Sequence, residues 1–344
     1  MFFLKDRRRH MRTVWGHTFE WTTEHQTKDQ MRPLTFTYDA LASECLDRLD
    51  DLSTPSTNPL YPDMKESRLG VAPRSDSLAP HPRRDLYALL EQHHASDAKL
   101  EELWTQVHTV PSWVDWDQIR RGQDVLYRYG GPSVVSLTFQ SLVGGMAGWR
   151  VVETLTRTGG FGVRVAKHRL LETFQHILQV TKDLDSVRPG GEGFVSSIRV
   201  RLLHASVRRR IMALARKKPG YFDVAEWGMP LNDLDCIGTV LSFSSALVWL
   251  GLPRQGIYLR EQEIVDYHAL WRWVGYLLGT PTDPWLAGWQ QSKFMFESLI
   301  VAELLPSETS KVLANNVLTG LSHQPPGVRQ SGFLMRRGTL VEWD

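Results

Sequence analysis

The feature that most constrains this chain is a pair of helices with one histidine on the second. Residues 167–211 have the spacing of two helices joined by a Pro-Gly-Gly turn. The positions at helical spacing from His204 hold Val200, Val207 and Ile211, which are all apolar. We therefore predict that the His204 imidazole points into the protein. A buried structural histidine and a metal ligand both fit this pattern.

The first helix of the pair carries a polar stripe. This stripe begins at Arg169 and continues with Glu172, Thr173 and His176, which follow it at offsets of three, four and seven residues. Such offsets place side chains on one face of a helix. A buried imidazole opposite such a stripe is one way to hold haem iron against a distal catalytic face. His176 is a weaker alternative ligand to His204.

Three segments resemble a known family. They are RLLET at 169–173, VRLLHASVR at 200–208 and DYHALWRWVGYLLG at 266–279. They are similar to the haem-dependent rubber oxygenases (latex clearing proteins) and to the ER-bound oxygenase of fungal mycophenolic acid biosynthesis. The N-terminal segments WGHTFEWT and LTFTYDALASECLDRL resemble the fungal branch. The resemblance implies haem b as cofactor.

The same resemblance implies roles for individual residues. His204 corresponds to the histidine that is the proximal ligand of the haem iron, and Arg169 and Thr173 match the family's arginine and threonine. Glu153 lies at the separation of a distal glutamate discussed as a base. Some rubber oxygenases have an iron-capping lysine where this chain has Glu172, so the resemblance does not extend to a distal lysine cap.

Four residues are therefore predicted to be catalytic. Arg169 would donate toward a haem propionate or bound oxygen, and Thr173 would hydrogen-bond an oxygen ligand. Glu153 or Glu172 would take a proton or position water. The alternatives are a helix-to-helix ion pair for Arg169, a bond from Thr173 to its own helix backbone, and ordinary ion pairs for the two glutamates.

Two arginines beside His204, Arg201 and Arg208, are predicted to bind the cofactor. A guanidinium suits a carboxylate, so these side chains would pair with the haem propionates. His268 is predicted to be structural, packed beside Trp271.

The composition limits the class of protein. A chain of 344 residues with 42% hydrophobic residues has enough core for one large domain or two small ones. The net charge of +2 gives no reason to expect nucleic acid as a partner. The two cysteines, Cys45 and Cys236, cannot form a disulfide framework and favour a reducing compartment. The predicted location is the cytoplasm, with a membrane-peripheral position as the alternative. The uncharged stretches 129–149 and 236–253 contain glycines or serines, so we predict buried core helices and no integral membrane span.

The chain is predicted to be all-α. Residues 1–33 read as a polar, irregular N-terminal extension, and residues 34–344 as a single globular helical domain around a central haem-type pocket. A long loop interrupts this domain at about 53–84. Helices are expected at 38–52, 85–95, 98–108, 115–129, 133–157, 234–250, 261–279, 282–304 and 307–321, besides the central pair. In the stretch 133–157, Gly144-Gly145 would allow a close helix contact or a kink.

The function predicted from these features is that of a haem b-dependent oxygenase using dioxygen on a small apolar substrate. The resemblance implies oxidative cleavage of a carbon–carbon double bond, or a related oxidation, in fungal secondary metabolism. A non-catalytic haem sensor or carrier and a cofactor-free helical binding module are the alternatives. The sequence contains no Gly-x-Ser-x-Gly elbow, phosphate-cradling loop or zinc-ligand spacing, and it makes no prediction of oligomeric state.

Overall fold

The computed structural model describes residues 10–52, 84–158 and 161–322, and nearly all of their regular structure is helical. The strands are β1 (Met11–Val14) and β2 (His17–Glu20). The helices are α1 (Lys28–Met31), α2 (Ala40–Leu52), α3 (Leu86–His93), α4 (Ala98–His108), α5 (Trp116–Arg128), α6 (Gly130–Ser136), α7 (Trp149–Thr156), α8 (Val163–Thr181), α9 (Leu184–Val187), α10 (Glu192–Lys217), α11 (Val224–Trp227), α12 (Asp233–Phe243), α13 (Glu261–Leu277), α14 (Trp289–Ala302) and α15 (Glu308–Leu321). The prediction of an all-α, single-domain protein is confirmed. The loop predicted at about 53–84 lies almost entirely outside the described residues.

Side-chain caps begin many of these helices where the sequence predicts a start. The carboxylate of Asp115 accepts hydrogen bonds from the backbone of Asp117 and Gln118 at the start of α5. Asn232 caps α12 in the same way. Such caps satisfy backbone N–H groups that a helix start leaves without partners.

Each of the two long apolar helices predicted from the sequence is broken. The helix predicted at 133–157 divides into α6, a π-helical segment at Leu137–Val143, a turn at 146–147, and α7. This break directly follows Gly144-Gly145, where a kink was one of the expectations. The helix predicted at 234–250 ends at Phe243 and resumes as π-helical Leu247–Gly251. At this break Ser244 Oγ donates to the carbonyl of Val240, a local bond that competes with the helix ladder.

The N-terminal hairpin corrects the prediction that residues 1–33 are irregular. β1 and β2 pair antiparallel through a two-residue turn in which Trp15 and Gly16 both have positive φ, 53° and 73°. Turns of this kind match the twist of a hairpin. Phe19 is buried and His25 bonds to the side chain of Glu297, so the segment packs on the helical body.

The helix α10 runs through the middle of the structure. It packs against α2, α3, α8, α9 and α13, and its residues Phe194, Ile198 and Leu202 are fully buried. The main core also contains Tyr267 and Trp273 of α13. A smaller apolar cluster lies between α7, α8 and α15. The residues predicted to form the site therefore lie on elements that both clusters support.

Candidate active site

His204 lies at the middle of α10, and its imidazole is desolvated although the residue as a whole is only partly buried. Burial, with a smaller contribution from the positive charge of Arg208, lowers the pKa of His204 to about 4. The imidazole is therefore neutral at physiological pH. Within the described residues, neither ring nitrogen forms a hydrogen bond or an ion pair. A neutral ring with a free nitrogen is what metal ligation requires.

A second imidazole, that of His176 on α8, lies close enough to influence His204 electrostatically. Its Nδ1 atom is 2.9 Å from the hydroxyl of Ser196 on α10, and this bond links the two helices. Its Nε2 atom is buried with no partner in the described part of the chain. Burial lowers its pKa to about 4. Buried polar atoms are almost always paired, so this orphan nitrogen marks an incomplete environment between α8 and α10.

The structure anchors Arg169 to the segment that precedes α8. Its Nη1 atom donates to Thr158 Oγ1 at 2.6 Å, and its Nη2 atom donates to the Thr158 carbonyl. The guanidinium also lies 5.7 Å from the ring centre of Phe161. Thr173 is exposed one turn further along the helix. The catalytic roles of Arg169 and Thr173 stay predictions. The bonds to Thr158 fix the Arg169 side chain beside the N-terminal half of α8.

The two glutamates predicted to be bases are both ion-paired. Glu153 Oε2 is 2.6 Å from Nη1 of Arg157, and both side chains are largely buried. Glu172 Oε1 is 3.2 Å from Nε2 of His168 on the exposed side of α8. The ion pairs named as alternatives are thus present, and the catalytic roles of the glutamates remain untested predictions.

Arg201 and Arg208 are buried among protein partners. Arg201 makes a two-pronged contact with Asp39, with N–O distances of 2.6 and 3.1 Å. Arg208 donates to the carbonyls of Pro230 and Leu231 at 3.1 and 2.9 Å, and also to Ser43. These bonds join α10 to α2 and to the start of α12. Pairing of Arg201 and Arg208 with haem propionates remains a prediction. The propionates would have to share these guanidinium donors with the protein groups that they already bind.

A group of charged residues that sequence analysis missed lies where α7, α12 and α14 meet. Arg150 Nη2 is 2.5 Å from Glu303 Oε2, and both side chains are buried. Burial raises the pKa of Asp235 to about 7, and Arg150 and Glu303 act on it electrostatically. These residues come from distant parts of the sequence, and no local pattern connects them.

A cavity of about 300 Å³ lies elsewhere, between α5, α13 and the start of α14. Trp113, Arg272 and Trp289 are among its lining residues, and His204 is not. His268 also borders it, but both ring nitrogens of His268 have partners, Ser245 Oγ and the Ile264 carbonyl. This contact pattern agrees with the structural role predicted for His268.

Within the described residues, no unbroken helix combines the length and apolar composition of a membrane span. The bent pair Asp233–Phe243 and Leu247–Gln255 meets both criteria when taken together. The two cysteines are free.

Comparison with known proteins gives a family and a fold. The family described as "ER-bound oxygenase mpaB/B'/Rubber oxygenase, catalytic domain" matches residues 127–341. Aurantioclavine synthase from Penicillium expansum is 54% identical over 33 residues, which are 10% of this chain and 7% of that protein. A solved structure of latex clearing protein in the closed state has a TM-score of 0.65 at 17% identity, covering 96% of this chain and 79% of that one. At this identity the likeness concerns the fold alone.

Proposed function

The chain belongs to the family of ER-bound oxygenases and rubber oxygenases, and we propose that it is a haem b-dependent oxygenase acting on a small apolar substrate. The observation that carries this proposal is the neutral, desolvated imidazole of His204, whose ring nitrogens form no bond to the described part of the chain. The family match covers more than half of the sequence and includes both α8 and α10.

The residues around His204 fit a haem on chemical grounds. A histidine must be neutral to bind iron, and burial keeps His204 neutral at physiological pH. The orphan nitrogen of His176 is explained if the space between α8 and α10 takes a further group. Apolar side chains on these helices, including Leu171, Phe174 and Leu203, are more than a third exposed and would be covered by an apolar macrocycle.

Haem bound at His204 would supply the activation of dioxygen. The chain's own residues would bind and orient the reactants. Arg169, fixed by its bonds to Thr158, would present positive charge near the N-terminal half of α8. Thr173 would place a hydroxyl one turn away on the same helix, and Glu153 would hold or move a proton while paired with Arg157.

The reaction class that we propose is oxidative cleavage of a carbon–carbon double bond or a related oxidation. Fungal secondary metabolism is the proposed setting. The short match to a fungal synthase supports this setting, although it covers 7% of that protein.

The first test is the visible absorption of the purified chain with stoichiometric haemin. We expect a Soret band in the wild type and a haem content at least about tenfold lower in His204→Ala. His168→Ala is the matched control, because His168 is an exposed histidine on α8, and it should keep the wild-type spectrum. An unchanged spectrum in His204→Ala would remove the ligand assignment.

A second arm separates an enzyme from a haem carrier. Arg169→Ala should keep most of the haem while substrate-dependent oxygen uptake falls by about a hundredfold, a typical effect of losing one preorganised donor. A wild-type protein that binds haem but shows no oxygen uptake with any apolar alkene would favour the carrier.

A further inference from the structure

The charged residues at the junction of α7, α12 and α14 form a site that the proposed function does not use. Arg150 lies in the first turn of α7, Asp235 in the first turn of α12, and Glu303 directly follows α14. A backbone bridge between Gly148 and Leu304 brings the start of α7 to the end of α14. Three elements distant in sequence thus converge on one polar site.

Two polar atoms in this site are buried and lack a partner. Arg150 Nη2 bonds to Glu303 Oε2, which also accepts a hydrogen bond from the indole of Trp149 at 3.2 Å. Arg150 Nε and Glu303 Oε1 have no hydrogen-bond partner within the described residues, although the two side chains are only 6% and 11% exposed. One N–H donor and one carboxylate acceptor are therefore left unsatisfied, at a cost in free energy.

Asp235 gives the site a second carboxyl group. Its Oδ2 atom accepts a hydrogen bond from Asn232 at 2.8 Å. Burial raises its pKa to about 7; Arg150 opposes this shift, and Glu303 adds to it. Asp235 itself is half-buried, and Thr239, one turn along α12, is exposed. The start of α12 is therefore partly accessible from the surface.

The chemistry of the unsatisfied atoms selects a ligand group. An ammonium group would satisfy the carboxylates but not the Arg150 donor, and a carboxylate would satisfy only the arginine. A hydroxyl group has one donor and two lone pairs, so a single oxygen can serve Arg150 Nε and Glu303 Oε1 together. The two helices next to the pair, α12 and α14, also carry the buried apolar residues Ile237, Leu241 and Ile300, which suits an otherwise apolar molecule.

We propose that Arg150 and Glu303 bind a hydroxyl group of an otherwise apolar ligand. This inference goes beyond the proposed function, because it adds a second ligand site and names an alcohol as the class of ligand. A site built to hydrogen-bond a hydroxyl discriminates strongly against an analogue without one, because its own polar groups are then left unpaired.

The test compares two isomers, 1-octanol and 1-methoxyheptane, by calorimetric titration of the purified full chain. The ether can accept a bond from Arg150 but cannot donate one to Glu303. We expect the alcohol to bind at least about tenfold more tightly than the ether, as for one hydrogen bond to a charged group. Glu303→Gln should reduce this ratio to within about twofold of one. Glu308→Gln, which changes an exposed glutamate on α15, should leave it unchanged.

A double variant, Arg150→Met with Glu303→Leu, removes both members of the pair and avoids a lone buried charge. It should also abolish the preference, with circular dichroism confirming the fold. Equal binding of alcohol and ether to the wild type would mean that the site holds a resident water only, and would overturn the proposal. A preference that survives in both variants would overturn it too. The titration needs neither haem nor turnover. The absence of a Soret band in the haem-binding test would therefore contradict the oxygenase proposal alone and leave the proposed hydroxyl site untouched.

Discussion

The carboxylate of Glu297 shows how a single buried residue fixes a segment far away in the sequence. Its oxygens lie 2.8 Å from His17 Nε2, 3.0 Å from His25 Nε2 and 2.5 Å from Lys293 Nζ. The backbone N–H of Thr22 donates to Nδ1 of His25, so the proton of a neutral His25 is on Nε2 and points at Glu297. This cluster fastens the hairpin to α14.

The pH dependence of this contact follows from the pKa of Glu297. Burial alone would raise that pKa, but hydrogen bonds from His17, His25 and Lys293 outweigh it and lower the value from 4.5 to about 2. A carboxylate with a lowered pKa stabilises the fold above its unfolded pKa, and this contribution is lost as the pH falls from about 4.5 toward 2.

We therefore predict that Glu297→Gln destabilises the protein by about 3 kcal/mol at pH 7 and by less than half as much at pH 3. Urea denaturation at both pH values measures the difference. Hydrogen exchange of residues 11–20 should accelerate in the variant at pH 7. An equal loss of stability at the two pH values would contradict an ionic role for Glu297.

At the scale of residues, the sequence predicted what local spacing encodes. His204 was chosen as the candidate ligand from its apolar neighbours at helical offsets and from the surrounding motif, and its role as ligand stays a prediction. The contact of His25 with Glu297 joins residues 272 positions apart, and that of Arg150 with Glu303 joins residues with no shared motif. Partners of this kind are set by tertiary packing, which a single sequence does not display.

Among the helices, α5 and α13 come into close contact at Gly122. A Cβ atom at this position would lie 2.3 Å from the carbonyl oxygen of Asp266 and 3.1 Å from Cβ of Leu270. The neighbour is backbone and cannot turn aside as a flexible side chain would. Arg121 bonds to the Asp266 carboxylate at the same crossing, with distances of 2.9 and 3.1 Å.

We expect Gly122→Ala to destabilise the protein by about 3 kcal/mol, since overpacking would force the two helices apart. Gly131→Ala is the matched control, because a Cβ there would meet nothing within 4 Å. It should leave stability unchanged or raise it by up to about 1 kcal/mol through reduced backbone freedom. Thermal denaturation of both variants measures the effect, and equal melting temperatures would refute the close approach.

Whether a helix or strand was predicted correctly depended on how clearly the sequence marks its two ends. Helices with a capping residue, such as α4 after Asp97 and α5 after Asp115, were placed correctly. The interruptions near Gly145 and Ser244 occur inside apolar stretches. Gly144-Gly145 indicated a possible kink, but the composition of both stretches fits a continuous helix equally well. The hairpin was missed because its turn is Trp15-Gly16, without the Asn-Gly or Asp-Gly that usually marks such a turn.

Across the whole molecule, the apolar core forms two clusters of unequal size. The main cluster includes α4, α5, α10 and α13. The smaller one includes Val152 of α7, Ala166 of α8, and Leu313 and Val317 of α15. The N-terminal half of α8, which carries Arg169, rests on the smaller cluster. Fewer buried contacts imply a lower free energy of local opening.

We predict that α7 and α15 open as a unit while α5 and α13 stay folded, and two core variants test this. Leu313→Ala removes a buried side chain of the smaller cluster, and Leu270→Ala removes one from the main cluster. Each should cost about 3 kcal/mol.

The two variants should differ in native-state hydrogen exchange. Leu270→Ala destabilises the native and the partly open state equally, so exchange in α7 and α15 should stay unchanged while exchange in α13 accelerates by about a hundredfold. Leu313→Ala destabilises only states in which the smaller cluster is closed, so exchange should accelerate in all four helices. If Leu270→Ala accelerated α7 and α15 as much as α13, the two clusters would unfold as one unit, and the support of Arg169 would be as stable as the core itself.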